Sequence, residues 1–131
     1  MSKNQCKKAT LEDLIAKKVQ KEKDKNKTKD IYISSMDKIL TFVKPKENVV
    51  LDAIDEIGDG KDTRNTISAF KHLMYECCPL LQNQELQKEL EILDPYDIVD
   101  VLFELGEVMK IGEQLVDLFG LGSIDENIKN S

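Results

Sequence analysis

Residues 58–63 are the first stretch whose residue types could do chemistry. They read Gly-Asp-Gly-Lys-Asp-Thr, a composition similar to loops that cradle phosphate groups. A phosphate loop needs a glycine five residues before its Gly-Lys pair and a hydroxyl residue after the lysine, but this chain has Asp55 and Asp62 there. A calcium loop starting at Asp55 also fails, because its third ligand position is Ile57. We interpret the stretch as a turn between two helices.

The other candidates for chemistry are His72, Cys77 and Cys78. A structural zinc site needs four ligands, usually with spaced cysteine pairs, whereas these two cysteines are adjacent. A nucleophilic cysteine would need an orienting group beyond His72, and none is indicated. We therefore expect Cys77 in the core, Cys78 at its border and His72 facing solvent. The carboxylates are scattered over helix faces, so we predict no enzyme activity, no catalytic residue, no metal site and no cofactor.

The charge of the chain is divided unevenly along its length. The 131 residues include 25 acidic and 19 basic side chains, for a net charge of −6. Residues 1–46 contain 13 lysines and 6 acids, a net +7, while residues 47–131 contain 6 basic and 19 acidic residues, a net −13. Most of the surface would repel phosphate, so we expect no nucleic-acid partner.

The sequence also indicates the cellular compartment in which the protein works. No segment approaches the roughly 20 apolar residues of a membrane-spanning helix. The first residues are basic but are not followed by the apolar region of a signal peptide. Three cysteines, two of them adjacent, are not a disulfide framework. We expect a cytoplasmic protein with reduced thiols and no membrane partner.

The elements that position these residues begin with an amphipathic helix. Thr10 is its expected N-cap, and Leu11, Leu14, Ile15 and Val19 fall on one face. The lysine-rich run that follows is either a frayed helix end or a linker. Residues 31–35 and 39–43 are rich in β-branched and aromatic residues, which predicts a two-stranded hairpin with its tip near Asp37.

The rest of the chain is predicted to be helical. One helix starts at Pro45 and ends at Gly58, and a second runs from Asp62 or Thr63 to the residue before Pro79. A shorter helix covers about residues 83–91. The longest helix covers about residues 95–119 and is apolar on several sides, which indicates burial on several sides or a partner.

These elements predict a mainly α fold, a small helical bundle of about four to five helices with an N-terminal two-stranded β-hairpin. We expect one folded domain in three parts. Residues 1–46 form a basic arm of helix and hairpin, residues 47–120 form an acidic helical body, and residues 121–131 form a disordered tail.

Several segments, taken in order and spacing, resemble a known family. They are Thr10-Leu11-Glu12-Asp13-Leu14-Ile15, Leu51-Asp52-Ala53-Ile54-Asp55-Glu56-Ile57-Gly58-Asp59-Gly60, Cys78-Pro79-Leu80-Leu81, Asp94-Pro95-Tyr96-Asp97-Ile98-Val99 and Leu105-Gly106-Glu107-Val108-Met109. The chain resembles the XkdN-like phage tail assembly chaperones of Gram-positive phages and phage-tail-like bacteriocins. The similarity extends over roughly residues 4–120 and rests on order and spacing, without a catalytic signature.

The resemblance implies a non-enzymatic protein that works in the host bacterial cytoplasm. Such a chaperone binds the tape measure protein during tail assembly, keeps it soluble and extended, and helps recruit tail tube subunits. It is absent from the mature particle. The alternative is a structural subunit or small adaptor protein of a phage tail or tail-like particle, which would use the same surfaces for permanent oligomers.

Two interaction surfaces are predicted. The apolar surplus of the helix over residues 95–119 predicts a groove wall for a helical tape measure segment. Its partner-binding residues are predicted to be Leu102, Leu105, Met109, Val116 and Phe119. The basic arm is predicted to dock on the acidic body of the next copy, which gives a homo-oligomer or helical array. The self-association residues are predicted to be Lys17, Lys18, Lys21, Ile31 and Ile33.

Overall fold

Six α-helices and one β-hairpin build residues 7–119, the part of the chain that the computed structural model describes. As predicted, the fold is mainly α, with the hairpin near the N-terminus. The elements are α1 (Leu11–Asp24), β1 (Thr28–Ile33), β2 (Lys38–Val43), α2 (Glu47–Ile57), α3 (Thr63–Cys77), a 3₁₀ turn (Pro79–Gln82), α4 (Gln84–Glu89), α5 (Asp97–Leu102) and α6 (Leu105–Leu118).

Local hydrogen bonds explain where several helices begin and end. Thr10 caps α1: its hydroxyl accepts the Asp13 N–H, and the Asp13 carboxylate accepts the Thr10 N–H at 2.8 Å. Asp62 caps α3 through one hydrogen bond, in which its carboxylate accepts the Asn65 N–H. Gly58 ends α2 with a φ of 60°, a conformation that a residue without Cβ adopts readily. These predicted ends are confirmed, but α2 begins at Glu47, two residues after the predicted start at Pro45.

The hairpin is part of the core. Its strands are antiparallel, with Ile31 opposite Leu40, and Asp37 adopts a φ of 51° in the connecting turn. Side chains alternate between two faces of a strand, so one face can be wholly buried. The buried residues of that face are Ile31, Ile33, Leu40 and Phe42. β2 packs against α3 and β1 against α6. Among α1, β1 and β2, the described elements of the predicted basic arm, only α1 has no buried side chain.

Helix α3 lies at the centre of the bundle, packed against both α2 and α6. Its inward residues are fully buried, and the adjoining Cys78 is buried with them instead of lying at the border of the core as predicted. Gly112 lets α6 approach closely, because a Cβ at this position would overlap the Phe70 side chain. The close approach of α3 and α6 therefore depends on the absence of a side chain at Gly112, where the Phe70 ring packs.

The prediction of a single long helix over residues 95–119 is wrong, because the chain forms two helices there. α5 ends at Leu102, and Phe103 adopts an extended conformation that leaves its side chain buried. Glu104 then caps α6, and its N–H donates to Glu107 Oε1 at 3.2 Å. Apolar periodicity could not show this break, since a buried Phe103 fits a helix and a turn equally well. The predicted tail over residues 121–131 lies outside the described residues.

Candidate functional site

The five predicted partner-binding residues do not share one surface. Leu105 is 57% exposed and Leu102 is 38% exposed, both near the junction of α5 and α6. Met109 and Phe119 are half-buried against the core. Val116 is 1% exposed, because α6 turns that side chain into the core. Its predicted role in binding is therefore incompatible with its position in the folded chain.

The five predicted self-association residues divide in the same way. Lys17, Lys18 and Lys21 are exposed on α1. Ile31 and Ile33 are each 2% exposed on the inward face of the hairpin. That face packs toward the helices, so it is unavailable to a second copy unless the hairpin leaves the core. Among these five residues, only the lysines can contribute to an interface of the folded protein.

Helix α1 exposes the whole of its apolar face. Leu11, Leu14, Ile15 and Val19 are between 46% and 75% exposed, and no α1 side chain is buried. A helix of 14 residues is marginally stable without tertiary packing. Within residues 7–119, nothing covers this face, which we call the α1 stripe. The spacing of the stripe was readable from the sequence, but its lack of cover was not.

A polar cleft of about 540 Å³ lies between α3 and the segment that leads into α5. Its charged groups are partly paired with one another: Lys71 Nζ lies 2.7 Å from Asp100 Oδ1. The Tyr96 hydroxyl donates to Glu76 Oε1 at 2.7 Å, and the Tyr96 ring meets the His72 ring edge-on with centroids 4.8 Å apart. These contacts tie α3 to the α5 segment.

His72 also approaches a carboxylate. Its Nδ1 lies 3.3 Å from Glu56 Oε1, an oxygen that is buried and accepts no hydrogen bond from the described residues. An imidazole beside a carboxylate can take part in catalysis when it also reaches a nucleophile. Cys77, the thiol considered with His72, is fully buried in the core. The contact therefore joins α2 to α3 without assembling a Cys-His pair.

We expect Tyr96 to ionise later than an ordinary tyrosine. Its hydrogen bond to Glu76, assisted by burial, raises the pKa of Tyr96 from 10.0 to about 12. Because the folded state holds this proton more tightly, the stabilising contribution is complete below pH 10.0 and is lost as the pH rises through about 12. Titration of the ultraviolet absorbance of tyrosinate should show a late step that Tyr96→Phe removes.

A control variant for this titration is Tyr32→Phe. The hydrogen bond to Asp37 raises the pKa of Tyr32 as well, so this variant also removes a perturbed tyrosine. The step near pH 12 should remain in Tyr32→Phe. Persistence of that step in Tyr96→Phe would contradict the assignment.

A second cleft, of about 570 Å³, is lined by lysines from two separate segments. Lys21 and Lys25 come from the end of α1, and Lys44 and Lys46 come from the connection between β2 and α2. None of the four forms an ion pair within the described residues. The remaining lining residues are Pro45, Glu47, Val50 and Phe119. Four cationic groups thus surround a partly apolar floor, which we call the lysine cleft.

The lysine cleft was not predicted from the sequence. Its walls come from the end of α1, the start of α2 and the end of α6, which are far apart along the chain. The only sequence signal was the general excess of lysine before residue 47. That signal could not show which lysines converge or that Phe119 lies among them.

Over residues 7–119, no group of three or more His, Cys, Asp or Glu side chains is placed to hold a metal ion. No helix in that range is long and apolar enough to cross a membrane. Comparisons of the chain with protein-family models, with curated proteins and with solved structures found no match.

Proposed function

We propose that this chain is a tail assembly chaperone of a phage or tail-like particle. It binds the tape measure protein in the host cytoplasm, helps recruit tail tube subunits, and is absent from the mature particle. The order and spacing of segments that resemble the XkdN-like family support this proposal. The observation that carries it is the α1 stripe, an amphipathic helix face without a partner among the described residues.

The α1 stripe has the chemistry that a tape measure protein requires. A tape measure protein is a long, largely helical chain whose apolar stripes need cover before assembly. Two amphipathic helices can bury their apolar faces against each other in this way. Complete burial of each leucine or isoleucine side chain contributes about 1.5–3 kcal/mol, so a few such residues suffice for reversible binding. α1 therefore replaces the predicted groove wall on residues 95–119 as the proposed binding element.

We expect Leu14→Gln/Ile15→Gln to reduce capture of the tape measure protein at least about tenfold, because central apolar residues dominate such interfaces. Glutamine keeps a good helix propensity, so the change removes apolar surface without breaking α1. The assay is co-expression with a candidate tape measure protein, chosen as a very long and largely helical product of the same genome, followed by quantitative co-purification.

Leu51→Gln is the matched control for this experiment. Leu51 is also an exposed helical leucine, but it lies on α2. Its substitution should leave capture unchanged. Wild-type capture by a folded Leu14→Gln/Ile15→Gln variant would refute the assignment of the stripe.

The alternative, a structural subunit or adaptor of the tail, is favoured by the same exposed stripe, because the stripe could pack permanently in a finished particle. Mass spectrometry of purified particles separates the two functions. A chaperone is absent from them, whereas a structural subunit is present in a fixed ratio to the tube protein.

A further inference from the structure

Two surfaces at opposite ends of α6 complement each other in charge and apolar character. One is the lysine cleft, whose floor includes Phe119 at the C-terminal end of α6. The other lies around α5, immediately before the N-terminal end of α6. We call it the acidic corner, and its residues are Asp94, Asp97, Val101, Leu102 and Glu104.

The acidic corner combines exposed carboxylates with exposed apolar side chains. Val101 and Leu102 project from α5 into solvent. Asp100 is neutralised by Lys71, but no lysine, arginine or histidine of residues 7–119 forms an ion pair with Asp94, Asp97 or Glu104. Asp94 and Asp97 line the polar cleft together with Arg64, Lys71 and His72, but neither carboxylate forms an ion pair with those groups. The corner therefore has three acidic residues without an ion pair in the described residues, together with two exposed aliphatic side chains.

The lysine cleft has the opposite arrangement. Among the described residues, its lining includes four lysines and a single acid, Glu47, together with Val50 and Phe119. Lysine ammonium groups favour carboxylates, and an apolar floor favours aliphatic side chains between those carboxylates. The occupant that fits is a protein surface with aliphatic residues flanked by acids, which is the composition of the corner.

The two surfaces of one molecule cannot meet. α6 has 14 residues, which places its ends about 21 Å apart along the helix axis. We infer that the acidic corner of one copy docks in the lysine cleft of a second copy. Such an interface joins two different surfaces, so it leaves a free corner and a free cleft at the ends of each pair and can propagate head to tail.

This inference does not depend on the chaperone proposal, because it uses neither α1 stripe residues nor a tape measure protein. The contact is small, involving a short helix and a cleft, so we expect weak and reversible association. Charges at the rim make the association sensitive to salt.

Analytical ultracentrifugation of the full chain over a range of concentrations tests the inference. We expect larger species to form with increasing concentration at about 50 mM salt and the association to be at least about tenfold weaker at about 500 mM salt. A chain that stays monomeric throughout, or that associates equally at both salt concentrations, overturns the inference.

Reciprocal charge reversals locate the interface. Lys46→Glu in the cleft and Asp97→Lys at the corner should each weaken self-association about tenfold or more. Both side chains are exposed and make no side-chain hydrogen bond or ion pair in the described structure, and circular dichroism can verify that the variants fold. An equimolar mixture should recover assembly. The reversed cleft of the first variant can bind the reversed corner of the second, and the unchanged cleft of the second can bind the unchanged corner of the first.

A mixture that associates no better than either variant alone overturns the inference. Leu102→Gln tests the apolar part of the contact and should also weaken association, whereas Leu80→Gln, at the exposed leucine of the 3₁₀ turn outside both surfaces, should not. Loss of association in Leu14→Gln/Ile15→Gln together with its retention in both charge reversals would place the interface on α1 and overturn the assignment.

Discussion

Replacing Gly112 with alanine is expected to destabilise the fold by roughly 3 kcal/mol, a large cost for one methyl group. A Cβ at this position would lie 2.7 Å from Phe70 Cβ and closer still to the ring. Phe70 is fully buried, and the overlapping atoms include the rigid base of its side chain. α3 and α6 would therefore have to move apart. Urea unfolding followed by circular dichroism measures the change.

Gly106→Ala is the matched control for this prediction, since Gly106 lies on the same helix with no atom within 4 Å of an added Cβ. Alanine should stabilise the fold there, by up to about 1 kcal/mol, because it lowers the conformational entropy of the unfolded chain. In a Phe70→Ala background, Gly112→Ala should cost much less, since the clash is removed. Equal stability of Gly112→Ala and the unsubstituted chain would contradict the proposed helix contact.

The thiol of Cys77 is expected to react with alkylating reagents roughly a thousandfold more slowly in the folded chain than in urea. Burial, together with the charges of Glu76 and Cys78, raises the pKa of Cys77 from 9.0 to about 12. The reactive species is the thiolate, whose fraction falls tenfold for each unit of pKa. Burial also raises the pKa of Cys78, although the N–H groups of Leu81 and Leu80 oppose the shift.

The stability of the fold should depend on pH through the same thiol. The folded state favours the neutral thiol of Cys77, so its contribution to stability is complete below pH 9.0 and is lost as the pH rises through about 12. Mass spectrometry of a Cys6→Ser variant follows the two buried thiols, and Leu80→Cys supplies an exposed reference on the adjoining turn. Modification of Cys77 at the same rate as the reference in the native state would show that the thiol is not buried.

Much of the secondary structure could be predicted, because its causes are local. Thr10, Asp62 and Gly58 mark helix ends through hydrogen bonds or backbone angles that involve only near neighbours. The hairpin followed from β-branched residues on both sides of a polar break. The turn between α5 and α6 could not be predicted, because it depends on burial of Phe103 by residues distant in the sequence.

Less of the candidate site could be predicted. Val116 and Ile31 were expected on interaction surfaces because apolar spacing shows which residues share a face. Spacing does not show whether that face meets the core, a partner or solvent. In the fold both side chains are buried, while Leu14 of α1, which has the same spacing signal, is exposed.

The sequence by itself determined the mainly α class, the hairpin, the helix ends at Thr10, Gly58 and Asp62, and the charge asymmetry, because these depend on composition and on contacts between near neighbours. Only the tertiary structure decided that the hairpin joins the core, that no described residue covers the α1 stripe, and that four lysines converge beside Phe119. The physical reason is that burial and clustering of charge are properties of a three-dimensional packing. Residues remote in the chain create or remove them together.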